Sequence, residues 1–219
     1  MASEGDVVLS YHNCLLRRSD QILLQGCGWL NDQLIAFSFE YSEYDLFKDS
    51  ASCVAFISPD VAQFIKLSTT DAEVGMFLEA LDLPNKQLIF LAINDNDSSV
   101  SMGGSHWSLL VFWRSDYSFR HYDSCGSYNE RVARDVARKL QPHIGPPGKK
   151  ASFIHEQSPQ QQNGYDCGLF VICTAEHLCR QNLQGCQVSL QEAVTQAAVT
   201  RKRKDILKLI ADLGSRDTE

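Results

Sequence analysis

A chain of 219 residues is long enough to close one substantial hydrophobic core. Its hydrophobic fraction of 44% and charged fraction of 21% are those of a folded globular protein, not of a disordered or fibrous one. The net charge of −7 and a pI near 5.3 argue against a general nucleic-acid or anionic-membrane binder and suit a partner with a basic docking face.

Residues 1–10 carry acidic groups and no apolar core flanked by basic charge, so no secretory signal is expected, and no apolar run approaches membrane-spanning length. The eight cysteines are then expected as reduced thiols in the cytosol, the nucleus or both. Along the chain, Val7, Val8 and Leu9 are strand-like, while Leu15-Leu16 and Ile22-Leu23-Leu24 are short apolar pieces that fit no single element. Leu30, Leu34, Phe37 and Tyr41 recur at helical spacing, with Asn31 or Asp32 near the helix start. Trp29 falls just outside that helix, either stapling its first turn or serving at the surface.

Ser58-Pro59-Asp60, ahead of Val61, Phe64 and Ile65, predicts a second helix with proline in its first position. A third is predicted over 71–81. The unbroken apolar run at 86–94 predicts a strand in a sheet covered on both faces. After a polar loop at 95–104, strands at 106–113 and 118–123 flank a short turn and form an antiparallel hairpin. Val132, Val136, Ala137 and Leu140 mark an amphipathic helix, residues 142–150 a surface connector, and 151–155 another strand. A helix runs from Cys167 to about Leu183 and a final one covers 190–213. The run Arg201-Lys202-Arg203-Lys204 reads as the solvated face of that last helix, with a nuclear address as the alternative. One α+β domain over residues 1–219 is expected.

The stretch Gln160-Gln161-Gln162-Asn163-Gly164-Tyr165-Asp166-Cys167-Gly168 leads into apolar Leu169, Phe170, Val171 and Ile172. Asn163-Gly164 signals a turn and Asp166 an N-cap. Cys167 therefore falls in the first helical turn, where free backbone N–H groups and the helix dipole favour a thiolate, the attacking form of cysteine. Gly168 is expected to leave room beside the sulfur for a substrate backbone. An arbitrary cysteine here is more often a small buried hydrophobe, but the polar approach, the cap and the glycine favour a nucleophile.

Hairpin geometry supplies its partners. If the turn centres between Trp113 and Ser118, residues near 106 face residues near 124–125, and His106 and Asp123 share one sheet edge. Cys167 is then the nucleophile, His106 the general base and later acid, and Asp123 the orienting anion. The upstream glutamines can offer an amide to an oxyanion beside the Cys167 backbone N–H. Taken singly, His106 is an ordinary strand-end histidine and Asp123 a turn residue. His121 and Cys125 lie near, but Cys125 has no helix-start setting. Cys173, His177, Cys179 and Cys186 lack paired metal-ligand spacing, so neither metal nor other cofactor is expected.

The blocks Trp29-Leu30-Asn31-Asp32, Gly104-Ser105-His106-Trp107-Ser108-Leu109-Leu110, His121-Tyr122-Asp123-Ser124 and Gln161-Gln162-Asn163-Gly164-Tyr165-Asp166-Cys167-Gly168 resemble the signature blocks of the ubiquitin-like-protein-specific cysteine proteases, the sentrin protease family. The resemblance covers nearly the whole chain in the family's order of His, Asp, Gln and Cys. It implies a papain-like fold of the Ulp type, with a central mixed or antiparallel sheet flanked by helices and the nucleophile at a helix N-terminus. It also implies cleavage after the C-terminal Gly-Gly of a ubiquitin-like modifier, from lysine conjugates such as cullins or from a precursor tail.

By the same resemblance Gln161 is the oxyanion glutamine, with Gln160 and Gln162 flanking it, and Trp29 and Trp107 form a lid over the substrate glycines. Lacking a long N-terminal extension and carrying the loop with Asn94 and Asp95, the chain looks most like the family's small deneddylase. Asp32 then pairs with a basic residue near the modifier's tail, with Asn94 and Asp95 also facing substrate. A monomer is the expected state. Competing readings are a SUMO-specific protease, an acyltransferase with the same triad, and a non-catalytic binder of ubiquitin-like proteins.

Overall fold

The apolar run becomes an inner strand of a five-stranded mixed sheet in the computed structural model, which describes residues 3–98, 100 and 103–216. The strands are β3 (Val54–Ile57), β4 (Leu88–Asn94), β5 (Trp107–Trp113), β6 (Ser118–Tyr122) and β7 (Ser152–His155), side by side in that order. The outer pairs are parallel and the two inner pairs antiparallel. Ahead of the sheet, β1 (Val7–Tyr11) and β2 (Cys14–Arg17) make a separate hairpin that runs into helix α1 (Arg18–Leu23).

Strand alternation shows why β4 is apolar throughout. Leu88, Phe90 and Ala92 point into one core with Leu109 and Val111 of β5, while Ile89, Leu91 and Ile93 point into a second core with Leu110 and Phe112. The first core is closed by α2 (Asp32–Tyr41), α6 (Cys167–Gln184) and α8 (Gln196–Arg216). The second is closed by α3 (Pro59–Leu67), α4 (Asp71–Leu78) and α5 (Glu130–Leu140). Helix starts follow the expected chemistry. Asn31 accepts the Leu34 N–H at 3.1 Å, Ser58 accepts that of Val61 ahead of Pro59, and Thr70 and Glu73 cap α4 reciprocally.

The structure departs from the sequence reading in several places. The predicted final helix is two, α7 (Leu190–Ala193) and α8, separated at Val194–Thr195, where the Thr195 hydroxyl caps the new helix by accepting from Ala198. No strand is predicted over 54–57, because four residues carry too little periodicity. The basic run is not simply a solvated face: Arg203 is buried, and Lys202 pairs with Glu176. No described helix is long and apolar enough to cross a membrane.

Candidate active site

One edge of the sheet collects the chemistry. The β5–β6 register places Leu109 opposite Tyr122 and, continued past the ladder, sets His106 across from Cys125. Asp123 follows β6 directly, and its Oδ1 lies 2.6 Å from His106 Nε2 with both side chains buried. The imidazole thus faces Asp123 with Nε2 and leaves Nδ1 for another partner. Cys167, the first residue of α6 and 3% exposed, is close enough to act on the ring.

Burial alone would push the His106 pKa down from its ordinary 6.5. The hydrogen bonds and negative charge offered by Asp123 and Cys167 outweigh burial and hold it up at about 10. Burial likewise opposes charge on Asp123, yet hydrogen bonds from His106 and from the backbone N–H groups of Asn129 and Cys125 hold its carboxyl below the usual carboxylate range. The arrangement therefore favours imidazolium at His106 facing a carboxylate at Asp123.

Hydrogen bonding separates the three glutamines. Gln160 is fully engaged: its amide donates to Asp123 and Ser158 carbonyls and its oxygen accepts from Gly126. Gln161 is braced by the Ser124 hydroxyl on its oxygen and gives one amide hydrogen to the Asn163 carbonyl, keeping a second donor. Gln162 is exposed and holds Gln196 through its backbone N–H.

Asp166 occupies the N-cap position, but its carboxylate does not cap α6. It accepts from Asn163 and Gln196 on Oδ2 and pairs with Arg203 on Oδ1. The turn itself comes from Asn163, whose Oδ1 accepts the N–H groups of Tyr165 and Asp166. Nor does Gly168 leave room for substrate: a Cβ there would lie 2.9 Å from the Leu30 Cβ. The glycine lets α6 pack on the segment after Trp29.

A cleft of about 320 Å³ runs up to Cys167. Trp29, Asp32, Asn94 and Trp107 line it together with His106, and Trp29 is half exposed. Trp107 is fixed by its indole N–H, which donates to the Leu30 carbonyl at 3.0 Å. Asp95, expected at the substrate face, turns instead to its own loop, accepting from the Ser105 N–H and hydroxyl and from the His106 N–H. It steadies the histidine's backbone.

Several residues at the site carried no signal in the sequence. Asn129 donates to the carbonyls of Ile93 and His106 and its backbone N–H holds Asp123, so it ties β4, β5 and the acid together. Asp60 adds a second carboxyl to the cleft beside Asp32; burial and that neighbour push its pKa up. His121 is buried with its ring nitrogens taken by Ser108 and His155, and burial pushes its pKa down to about 4. His177 pairs through Nε2 with the Val188 carbonyl, and among the described residues no three His, Cys, Asp or Glu side chains cluster as metal ligands.

Comparison with known proteins places this geometry. The family described as "Ulp1 protease family, C-terminal catalytic domain" matches residues 28–213. The chain is 49% identical to human sentrin-specific protease 8 over 210 residues, spanning 96% of this chain and 99% of that protein. It is 33% identical to NEDD8-specific protease 1 of Arabidopsis thaliana, spanning 97% and 96% of the two chains. In fold it matches the SUMO protease Ulp1 with its catalytic cysteine oxidised to a sulfinic acid, at a TM-score of 0.76 and 20% identity over 97% of this chain and 90% of that one. The C-terminal Ulp1 protease domain in complex with Smt3, the yeast ortholog of SUMO, matches at 0.74 and 20% identity, with the same coverage.

Proposed function

The chain belongs to the Ulp1 protease family of cysteine proteases, and from that premise we infer that it is a thiol protease hydrolysing the bond after the C-terminal Gly-Gly of the neddylation modifier, NEDD8. The observation that carries the reading is the 2.6 Å His106–Asp123 contact behind Cys167 at the end of an open cleft. The choice of modifier rests on the relatives at 33–49% identity, of which the Arabidopsis protein is named for NEDD8. The SUMO proteases share the fold at only 20% identity.

The Cys167 thiolate attacks the carbonyl of the terminal glycine. Negative charge then develops on that oxygen, where the free amide hydrogen of Gln161 and the Cys167 backbone N–H receive it. His106 imidazolium protonates the leaving amine, which departs as a lysine side chain or a short precursor tail. The neutral imidazole next takes a proton from water, whose oxygen attacks the thioester and releases the modifier's carboxylate and Cys167. Asp123 keeps Nε2 protonated and Nδ1 directed at the sulfur throughout. Trp29 and Trp107 narrow the cleft so that only glycine passes without a clash.

Lysine-linked conjugates, cullins among them, are the substrates this reading gives. On this reading residues 1–219 act as one catalytic unit and as a monomer, with His106, Asp123, Gln161 and Cys167 supplied by a single fold. Eight cysteines without a disulfide fit a reducing cytosol or nucleus. The test is to incubate the protein and its Cys167→Ala variant with NEDD8, SUMO and ubiquitin bearing thiol-reactive C-termini, then record intact masses. A NEDD8 adduct lost in the variant is expected. A SUMO adduct in its place overturns the choice of modifier, and an adduct that survives in the variant overturns the nucleophile.

A further inference from the structure

We propose that Arg203 is a positioning residue for the reaction, clamping the segment before Trp29 to the segment before Cys167 and cancelling the charge of Asp166 beside the nucleophile. The inference rests on Cys167 being the nucleophile. Arg203 lies on α8 and is only 6% exposed, an unusual place for a guanidinium. One terminal nitrogen donates to the carbonyls of Leu23 at 2.7 Å and Gly28 at 2.9 Å, which sets the backbone immediately ahead of Trp29. The other donates to the Tyr165 carbonyl at 3.4 Å and to Asp166 Oδ1 at 2.8 Å, which sets the backbone immediately ahead of Cys167. The planar fork suits this double task, which a lysine ammonium on the same stem could not perform. Gly28 leaves no slack, because a Cβ there would meet the Leu23 carbonyl oxygen at 2.6 Å.

The electrostatic half follows from sequence adjacency. Asp166 directly precedes Cys167 and is itself buried, so its carboxylate opposes the thiolate that the helix N-terminus favours. Asn163 and Gln196 are neutral donors to Asp166, whereas Arg203 brings a full positive charge. Removing that charge leaves a buried anion next to the one the reaction requires.

The experiment compares Arg203→Gln, Arg203→Lys, Asp166→Asn and the Arg203→Gln/Asp166→Asn double variant in the full chain. For each, iodoacetamide labelling of the Cys167 peptide at pH 7 is followed by mass spectrometry, beside kcat and KM on a fluorogenic NEDD8 C-terminus and thermal unfolding. Labelling of Arg203→Gln is expected to slow about tenfold, the scale of one unpaired charge at close range in a partly solvated site. The double variant, neutral at both positions, is expected to label within about threefold of wild type even where its unfolding temperature stays low. Asp166→Asn alone should label at least as fast as wild type, and Arg203→Lys should keep labelling while KM rises as the Trp29 segment loosens. Wild-type labelling in Arg203→Gln overturns the proposal, as does a double variant as slow as the single. If Arg203→Gln does not fold, slower labelling in Asp166→Asn overturns it. Turnover that persists in Cys167→Ala would instead remove the reading beneath it.

Discussion

Replacing Asp123 by asparagine keeps the side chain's shape and removes the anion that faces His106. The rise of the His106 pKa from 6.5 to about 10 corresponds to roughly 5 kcal/mol of preference for imidazolium, shared between Asp123 and Cys167 and net of burial. Taking about half of that as the Asp123 share gives a loss of ~2–3 kcal/mol in the charged form. An asparagine can also present its amide hydrogen to Nε2, which reverses the ring tautomer and turns an N–H toward the sulfur. Together these effects are expected to lower kcat by ~10²–10⁴. A distinct signature accompanies the loss. In the wild type the imidazolium persists as pH rises until about 10, so the alkaline limb of kcat/KM should fall there; in Asp123→Asn it should move down toward 6.5. Stability moves with the same sign: the His106 contribution is complete below pH 6.5 and is lost as pH rises through about 10. The assay is release of a fluorophore from the NEDD8 C-terminus between pH 5 and 11. A variant with the wild-type alkaline limb, or with kcat within threefold of wild type, would refute the account of the triad.

Two further outcomes bear on neighbouring residues. Gln161→Ala should lower kcat by ~10²–10³ with little change in KM, because its spare amide hydrogen meets charge only in the transition state; steady-state kinetics showing a pure KM effect would sink that role. Gly168→Ala should destabilise the fold by ~1–3 kcal/mol through overpacking against Leu30, measured by urea unfolding, and an unchanged midpoint would show that Leu30 yields.

What could be read from the chain and what could not divide along physical lines. His106 and Asp123 were legible because a short turn fixes hairpin register, and register fixes which strand ends meet. Cys167 was legible because helix starts have local chemistry, although the cap it suggested was misassigned: the Asp166 carboxylate turns to Arg203, and Asn163 makes the turn. The break at Val194–Thr195 was hidden because neither glycine nor proline marks it between Leu190 and Leu213. Asn129 was invisible, and Arg203 was misread as part of a solvated face, for another reason. Each works through carbonyl groups of segments remote in sequence, and carbonyls have no letter in the code. Gly168 was noticed but misread, since its neighbour is Leu30, which only tertiary structure supplies.

The bond from Arg203 to the Leu23 carbonyl spans 180 residues, so the first and last quarters of the chain meet beside the Tyr165–Cys167 segment. Closing so long a loop costs chain entropy that the packing of the sheet and α6 must offset. During synthesis α8 emerges behind all the elements it braces, and a nascent chain that already holds Cys167, His106 and Asp123 still lacks the Arg203 charge beside Asp166 and the Arg203 bonds to Leu23 and Gly28. On the Arg203 proposal, the surroundings of Cys167 are therefore complete only once α8 has packed onto the elements it braces.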